Sequence, residues 1–163
     1  MPPASEPIRE QILEDVLSTL RAVAAGPTYW YTLGTNNVRR VDAGVAIADR
    51  MESPALIVGL GDSFRVDGSS AGNEDAVMEN VELGVAAWLG DSEDVAKKLA
   101  RLETDIRHAL YEDRTRSGLA FNTSWQGTTF IDPDMNEGRA IVRLDFLIEY
   151  EVMESDLTST IPG

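Results

Sequence analysis

Arg139-Ala140-Ile141-Val142-Arg143-Leu144-Asp145-Phe146-Leu147-Ile148-Glu149-Tyr150-Glu151-Val152 is the stretch that decides the fold. Its period is two. Ala140, Val142, Leu144, Phe146, Ile148, Tyr150 and Val152 point one way, and Arg139, Arg143, Asp145, Glu149 and Glu151 point the other. A strand alternates its side chains between faces, so this is a long strand with one face on a core. A second stretch, Val77 to Leu89, behaves alike: Val77, Val81, Leu83, Val85, Ala87 and Leu89 share a face, opposite Met78, Asn80, Glu82, Gly84, Ala86 and Trp88.

Two other segments keep helical time. Ile8, Ile12, Leu13, Val16, Leu17, Leu20, Val23 and Ala24 recur on one face of a helix expected from about 6 to 25, with Ser5 as N-cap and Gly26-Pro27 as its stop. Asp91 is expected to cap a second helix, 91–112, whose buried stripe is Val95, Leu99, Leu102, Ile106, Ala109 and Leu110. Its wet face includes Lys97, Lys98, Arg101, Glu103, Asp105 and Arg107.

Shorter segments fill the order. Thr28 to Leu33 is rich in strand formers, Gly34 to Asn37 is a turn signal, and Val38 to Val41 reads as a returning strand. Ala43 to Arg50 reads as a short helical turn, Ala55 to Leu60 as a buried strand, and Thr123 to Ile131 as a strand. Residues 61–76 are dominated by Gly, Ser, Asp and Asn and read as a long flexible loop, and 132–138 as a shorter one. The tail, 153–163, reads as loosely held. A hairpin-rich order of this kind predicts an α+β fold, a single domain over 1–163 with its ordered core at about 5–152. In it, a mostly antiparallel mixed sheet packs against two main helices as an α/β sandwich.

The 163 residues suffice for one domain that buries roughly 70% of the surface of its unfolded chain. Cys is absent, which excludes disulfides, thiolate metal sites and a cysteine nucleophile. No apolar run reaches the roughly 20 residues of a bilayer span, and Met1 to Arg9 lacks the basic-then-apolar order of a secretory signal, so a soluble protein that starts life in the cytoplasm is expected. The net charge of −14 repels phosphate and anionic lipid, which argues against specific nucleic-acid binding. It suits a wall past which DNA must slide without sticking.

The search for chemistry comes back empty. His108 is the only histidine and reads as a partly packed structural residue. Asp132-x-Asp134-x-Asn136 opens like a calcium loop but has Glu137 where Gly is needed and Arg143 where a bidentate Glu is needed. Gly59-Leu60-Gly61-Asp62 lacks the third Gly and the Lys-Ser/Thr of a phosphate loop. Tyr29-Trp30-Tyr31 reads as strand residues packed on the first helix. No cofactor or metal is expected and the protein reads as non-enzymatic. What the sequence offers instead is material for assembly: the polar loop, with Asp62, Phe64, Arg65, Asp67, Asn73, Glu74 and Asp75, and the basic residues Arg39, Arg40 and Arg143.

The order of elements resembles the tail terminator proteins of long-tailed bacteriophages. An amphipathic helix ends at Gly26, and aromatic Tyr29 to Tyr31 follow. Then come a basic strand with Arg39-Arg40, an apolar strand led by Pro54, the loop, the strand 77–89, the helix 91–112 and the closing strand from Arg139. The resemblance covers about residues 5–152. It implies an α/β sandwich that assembles with itself into a ring, six copies in that family, on top of the tail tube. There the ring ends tube growth and offers a docking surface to the head–tail connector in the neck of the virion, while DNA passes through the lumen. The family carries no catalytic residues to transfer. A neck adaptor or head-closure protein is the near alternative, and a small-molecule-binding α+β domain, with its cleft beside 61–76, is the distant one.

The face assignment of the closing strand has a direct test. Phe146→Ala is expected to cost about 3–5 kcal/mol in urea unfolding, the range for truncating a fully buried Phe; an unchanged midpoint would invert the faces.

Overall fold

The structure is a computed structural model, and it describes residues 5–41, 52–66, 76–90, 93–131, 140–153 and 155–157. The two alternating stretches build its spine. They form β3 (Ala76–Leu89) and β5 (Ala140–Met153), which pair antiparallel without a break from Ala76↔Met153 to Leu89↔Ala140. Both apolar sets therefore fall on the same side: Val81, Leu83, Val85 and Ala87 beside Ile148, Phe146, Leu144 and Val142, all 0–1% exposed.

Three strands flank this pair. β1 (Val38–Arg40), β2 (Ala55–Arg65) and β4 (Asn122–Ile131) complete a sheet of order β1-β2-β3-β5-β4. Only β1 and β2 run parallel; the other pairs are antiparallel. On the apolar side lie α1 (Ile8–Arg21) and α2 (Val95–Glu112). Ile12, Leu13, Val16, Leu17 and Leu20 of α1 join Leu99, Leu102, Ile106 and Leu110 of α2 and the apolar strand positions in one continuous core. The α+β class, the mixed sheet and the two helices stand as expected.

Local details differ. α1 begins at Ile8 with Pro7 as its cap residue and no side-chain cap bond. Ser5 does not cap it; the first helical N–H donates instead to the Leu157 carbonyl (2.9 Å). The start of the tail is thus tied down, with β5 running on to Met153 and Asp156 bridging back to it. α2 starts at Val95, behind Asp94 with φ of 50° and no side-chain cap bond, so Asp94 takes the cap position expected of Asp91. The polar stretch expected to be a loop from residue 61 continues as strand: β2 reaches Arg65, and Phe64 and Arg65 pair with Asn80 and Glu79 across a bulge after Leu60. Residues 42–51, 67–75, 91–92 and 132–139 lie outside the described residues. The expected helical turn at 43–50, most of the polar loop and the Asp132 loop therefore lie outside them, in whole or nearly so.

The largest correction concerns Thr28 to Leu33, which forms no strand and packs mainly on α2, not α1. Its aromatic residues have strand propensity but no strand partner, so its backbone groups need other acceptors. Asp105 supplies them. Expected on the wet face, it is 1% exposed and accepts the N–H groups of Trp30 (3.0 Å) and Tyr31 (2.9 Å). The Tyr31 hydroxyl donates to the Lys98 carbonyl (3.2 Å), and the Tyr29 ring lies 5.2 Å from that of His108. A second buried polar group, Arg116, sits in the turn after α2 with no exposed surface. It lies 3.4 Å from Asp15 of α1 and donates to the carbonyls of Leu110 and Asp113, which ties that turn to both helices.

Burial pushes the Asp105 carboxyl above its ordinary range, against the pull of the two N–H donors. A raised native pKa means the folded state holds the proton more tightly, so this group's contribution to stability falls as pH rises through that pKa. Asp105→Ala is expected to cost about 1–3 kcal/mol by leaving two N–H groups unmatched. Asp105→Asn keeps an acceptor, so it should cost less and flatten the pH slope. Urea midpoints across a pH series read both effects; equal losses for Ala and Asn would refute the capping role.

Candidate functional site

The same alternation that fills the core leaves the opposite side of the sheet bare of helices among the described residues. Register orders that face into rows running across the strands. One row is Arg39, Ile57, Ala86, Arg143 and Thr129. The next is Gly59, Gly84, Asp145 and Gly127, flanked by Val41, whose N–H donates to the Val58 carbonyl (2.8 Å). Beyond it lie Glu82, Leu147 and Ser124, then Phe64, Asn80, Glu149 and Asn122.

Three glycines make this row low, with the exposed Asp145 side chain standing between Gly84 and Gly127. Gly59, Gly84 and Asp145 line an open trough of about 780 Å³, walled by Ile57, Ala86 and Arg143 on one side and by Phe64, Glu82 and Leu147 on the other. Glycine weakens a strand, so each needs a reason. Gly59 has one within the chain, because a Cβ there would come within 3.0 Å of the Val41 side chain. Among the described residues Gly84 and Gly127 have none: a Cβ on Gly84 would meet only the Gly59 carbonyl oxygen at 4.0 Å, and one on Gly127 would meet nothing within 4 Å. Neither backbone lies in the left-handed region that favours glycine.

The charges on this face are mostly negative: Glu82, Asp145, Glu149 and Glu151 against Arg39 and Arg143. Arg143 Nε lies 3.3 Å from Asp145 Oδ1, and both side chains remain substantially exposed. Asn80 is 9% exposed, and among the described residues its Oδ1 has no hydrogen-bond partner, nor has Glu151 Oε1. Phe64, 47% exposed, stands beside Asn80 in the same row.

The sheet edge beside the trough is open in part. β1 covers β2 only from Leu56 to Val58, and Gly61 to Arg65 are exposed. Arg9 of α1 guards that stretch by donating to the Gly61 carbonyl (2.7 Å) and to Ser63 Oγ (3.2 Å). A cation and a bulge are devices that blunt an edge against indiscriminate pairing.

Of the residues named from sequence, Arg39, Phe64 and Arg143 lie on the open face, Phe64 and Arg143 lining the trough, with Asp62 at the bulge on its rim. Arg65 pairs with Glu79, on the helix side. Arg40 also faces the helices, where its guanidinium clasps Glu10 through two bonds of 2.7 and 2.8 Å. Asp67, Asn73, Glu74 and Asp75 lie outside the described residues. Gly59 and Gly61 stand within β2 rather than in a phosphate loop. His108 is half-exposed on α2, 3.5 Å from Glu112. Among the described residues, no group of three or more His, Asp or Glu could hold a metal ion, and no helix is long and apolar enough to cross a membrane. The glycine row itself was missed; its members are far apart in sequence, and only the register aligns them. The chain matches no protein-family model and no curated protein sequence.

The hydrogen bonds from Arg40 hold the Glu10 carboxyl below its usual range. A depressed carboxylate pKa stabilises the fold above the unfolded value near 4.5 and stops doing so as pH falls through the native one. Both groups are partly exposed, so the pair is worth at most about 1 kcal/mol. Arg40→Ala is expected to lower stability by that order at neutral pH and to converge with wild type once Glu10 is protonated in both states. A constant difference at every pH would mean that Arg40 acts by packing alone.

Proposed function

We propose that this chain is a non-enzymatic structural virion protein that assembles with copies of itself into a ring and caps the tail tube of a long-tailed bacteriophage. The ring ends tube polymerisation and presents a docking surface for the head–tail connector. The observation that carries this reading is the two-faced layer. One side of the sheet is sealed by α1 and α2, while the other keeps apolar residues such as Ile57, Phe64 and Leu147 partly exposed among the charges of Glu82, Asp145 and Arg143, a mixture that suits a protein interface. Ring assembly is heterologous and needs two different surfaces on each copy. The open face and the exposed end of β2, with Asp62, Phe64 and Arg39 nearby, supply one; the outer surface of the helices supplies the other. The element order α1, aromatic segment, β1, β2, β3, α2, β4, β5 supports the tail-terminator reading over a generic one. The net charge of −14 lets DNA pass the assembled ring without adhering.

One observation favours a different reading. A trough of about 780 Å³ falls within the size range of small-molecule sites, roughly 300–1,000 Å³. Its few convergent polar groups and open mouth suit a macromolecule better. A neck adaptor would share the same architecture and differ in its neighbours, so addition of the protein to growing tail tubes separates the two: a terminator halts elongation, an adaptor does not.

Light scattering coupled to size exclusion is expected to give a species near six times the 17.8 kDa chain, annular in negative stain. Repulsion between copies of charge −14 reaches about 30 Å at very low salt and about 8 Å at physiological salt. Sedimentation across a salt series should therefore show the ring strengthening as salt rises. Steady dissociation with rising salt would replace that account with Arg–carboxylate pairing as the main glue. A monomer at all concentrations, with a ligand found by thermal shift, would replace the ring with the small-molecule reading.

A further inference from the structure

We infer that copies of this chain join edge to edge, the second half of β4 in one copy pairing antiparallel with the far end of β2 in the next. The inference rests on the self-assembly reading and adds a strand-to-strand contact to the surfaces it uses. Backbone direction carries it. The Phe121 N–H donates to the Glu149 carbonyl (2.7 Å), so the odd-numbered residues of β5 turn their backbone groups toward β4. The β4 residues opposite even-numbered ones must then turn theirs outward. Side chains close two of these positions: Arg114 Nε donates to the Thr123 carbonyl (3.2 Å), and the Tyr111 hydroxyl accepts the Trp125 N–H (2.8 Å). Past the bulge the same alternation turns out Thr128 and Phe130, opposite Leu144 and Val142. Among the described residues no hydrogen bond closes their backbone groups. β2 holds the other half. The Val66 N–H donates to the Met78 carbonyl (2.9 Å), so Ser63 and Arg65, at the alternate positions, face away from β3. The β1 ladder ends at Val58 and leaves them uncovered among the described residues.

The two edges fit each other in polarity, facing and register. β2 runs parallel to β5 and β4 runs against it, so a neighbour that continues the sheet in the same orientation offers its β2 antiparallel to β4. Thr128, Phe130, Ser63 and Arg65 all carry their side chains on the helix side, opposite Leu144, Val142, Val81 and Glu79. Paired residues must share a side, and a mismatch here would put one copy's helices on the wrong face. Arg9 already holds the Gly61 carbonyl (2.7 Å) and Ser63 Oγ (3.2 Å), so the ladder stops at Ser63. One register then uses every outward residue: Ser63 opposite Phe130, Phe64 opposite Thr129, and Arg65 opposite Thr128. Arg9, which blunts the edge of a single chain, thereby sets the register between chains. Apolar exposure is concentrated at the same places, with Phe64 at 47%, Phe130 at 52% and Ile131 at 36%. In this register Ile131 lies diagonal to Phe64 on the open face, within reach of an aromatic ring. Residues 128–131 carry no charge, whereas β2 against a second β2 would bring two Arg9 guanidinium groups together. Each copy has one edge of each kind, so the contact is head-to-tail and repeats around a ring.

Two variants, each spoiling one edge, test this. Phe130→Pro and Arg65→Pro each remove an outward N–H without touching a bond inside the sheet, and an edge strand tolerates proline there. Each alone is expected to weaken self-association at least about tenfold in sedimentation, with a thermal midpoint within a few degrees of wild type. Mixed, they should form a one-to-one heterodimer and nothing larger, since one intact β4 edge meets one intact β2 edge. Hydrogen exchange on wild type reads the contact without a variant, which covers the case of a proline that misfolds: the amides of Ser63, Arg65, Thr128 and Phe130 should exchange fast in the dilute monomer and at least about tenfold more slowly in the assembly. If both variants assemble as wild type does, if their mixture stays monomeric while both are folded, or if these amides gain no protection, the edge contact is wrong while self-assembly by another surface stands. A discrete dimer that protects Phe130 and leaves Ser63 fast would replace it with β4 against β4. If wild type never associates, the self-assembly reading falls and this inference falls with it.

Discussion

The unbroken ladder between β3 and β5 is the constraint on which everything else hangs. Strand side chains alternate, so a slip of one residue would exchange every inward group for an outward one. In the observed register, Leu83, Val85, Phe146 and Leu144 lie under the helices while Gly84 and Asp145 lie in the open row. A one-residue slip of β5 alone would drive Arg143, Asp145 and Glu149 toward the apolar faces of α1 and α2, where unpaired charge is costly. Core and open row are thus two consequences of one register, and the sequence cannot lose one without losing the other.

Two buried polar groups do what the ladder cannot. Asp105 holds Trp30 and Tyr31, which have no strand neighbour, and Arg116 holds the turn after α2 against Asp15 of α1. In each, burial opposes the charge while partners favour it. The Asp105 carboxyl is pushed up despite its N–H donors, and the Arg116 guanidinium is pushed down despite Asp15 and Asp113. Near-balance of that kind adds little net stability, but breaking one side leaves the other uncompensated. Their effect is on position: they fix where the aromatic segment and the turn sit relative to the helices.

The long periodic elements were legible because period and burial coincide over many residues. Val77 to Leu89, the strand from Ala140 and the stripe Ile12 to Leu20 needed no more than that. Thr28 to Leu33 misled because propensity says that a segment suits a strand and says nothing about whether a partner is present. The end of β2 misled in the opposite way. Gly61 to Arg65 pair only on one edge and pack little, so no alternation was selected, and composition read as loop. Asp105 stands three residues after Leu102, on the buried side of α2; its charge hid a signal that its position gave. The candidate site was half legible. Arg39, Phe64 and Arg143 each carry a chemical signal of their own, but Gly59, Gly84, Asp145 and Gly127 fall into one row only across four strands, through pairings that no local pattern records.

Charge decides how such a surface can be used. At a net charge of −14 two copies repel at long range, yet that repulsion decays within about 8 Å at physiological salt, whereas a single pair of unlike charges acts at a few ångströms. The two effects therefore separate by distance. Net charge sets whether copies approach at all, and the local pattern sets which faces remain together once they do. An open face bearing Glu82, Asp145, Glu149 and Glu151 against Arg39 and Arg143 disfavours its own image and any phosphate surface. On a chain of charge −14, α2 is where Lys97, Lys98, Arg101 and Arg107 gather within eleven residues, interleaved with Glu103 and the buried Asp105. Unlike charges thus alternate around the helix, and what α2 presents is a set of local pairs, such as Arg107 with Glu103 at 3.4 Å, in place of a field of one sign.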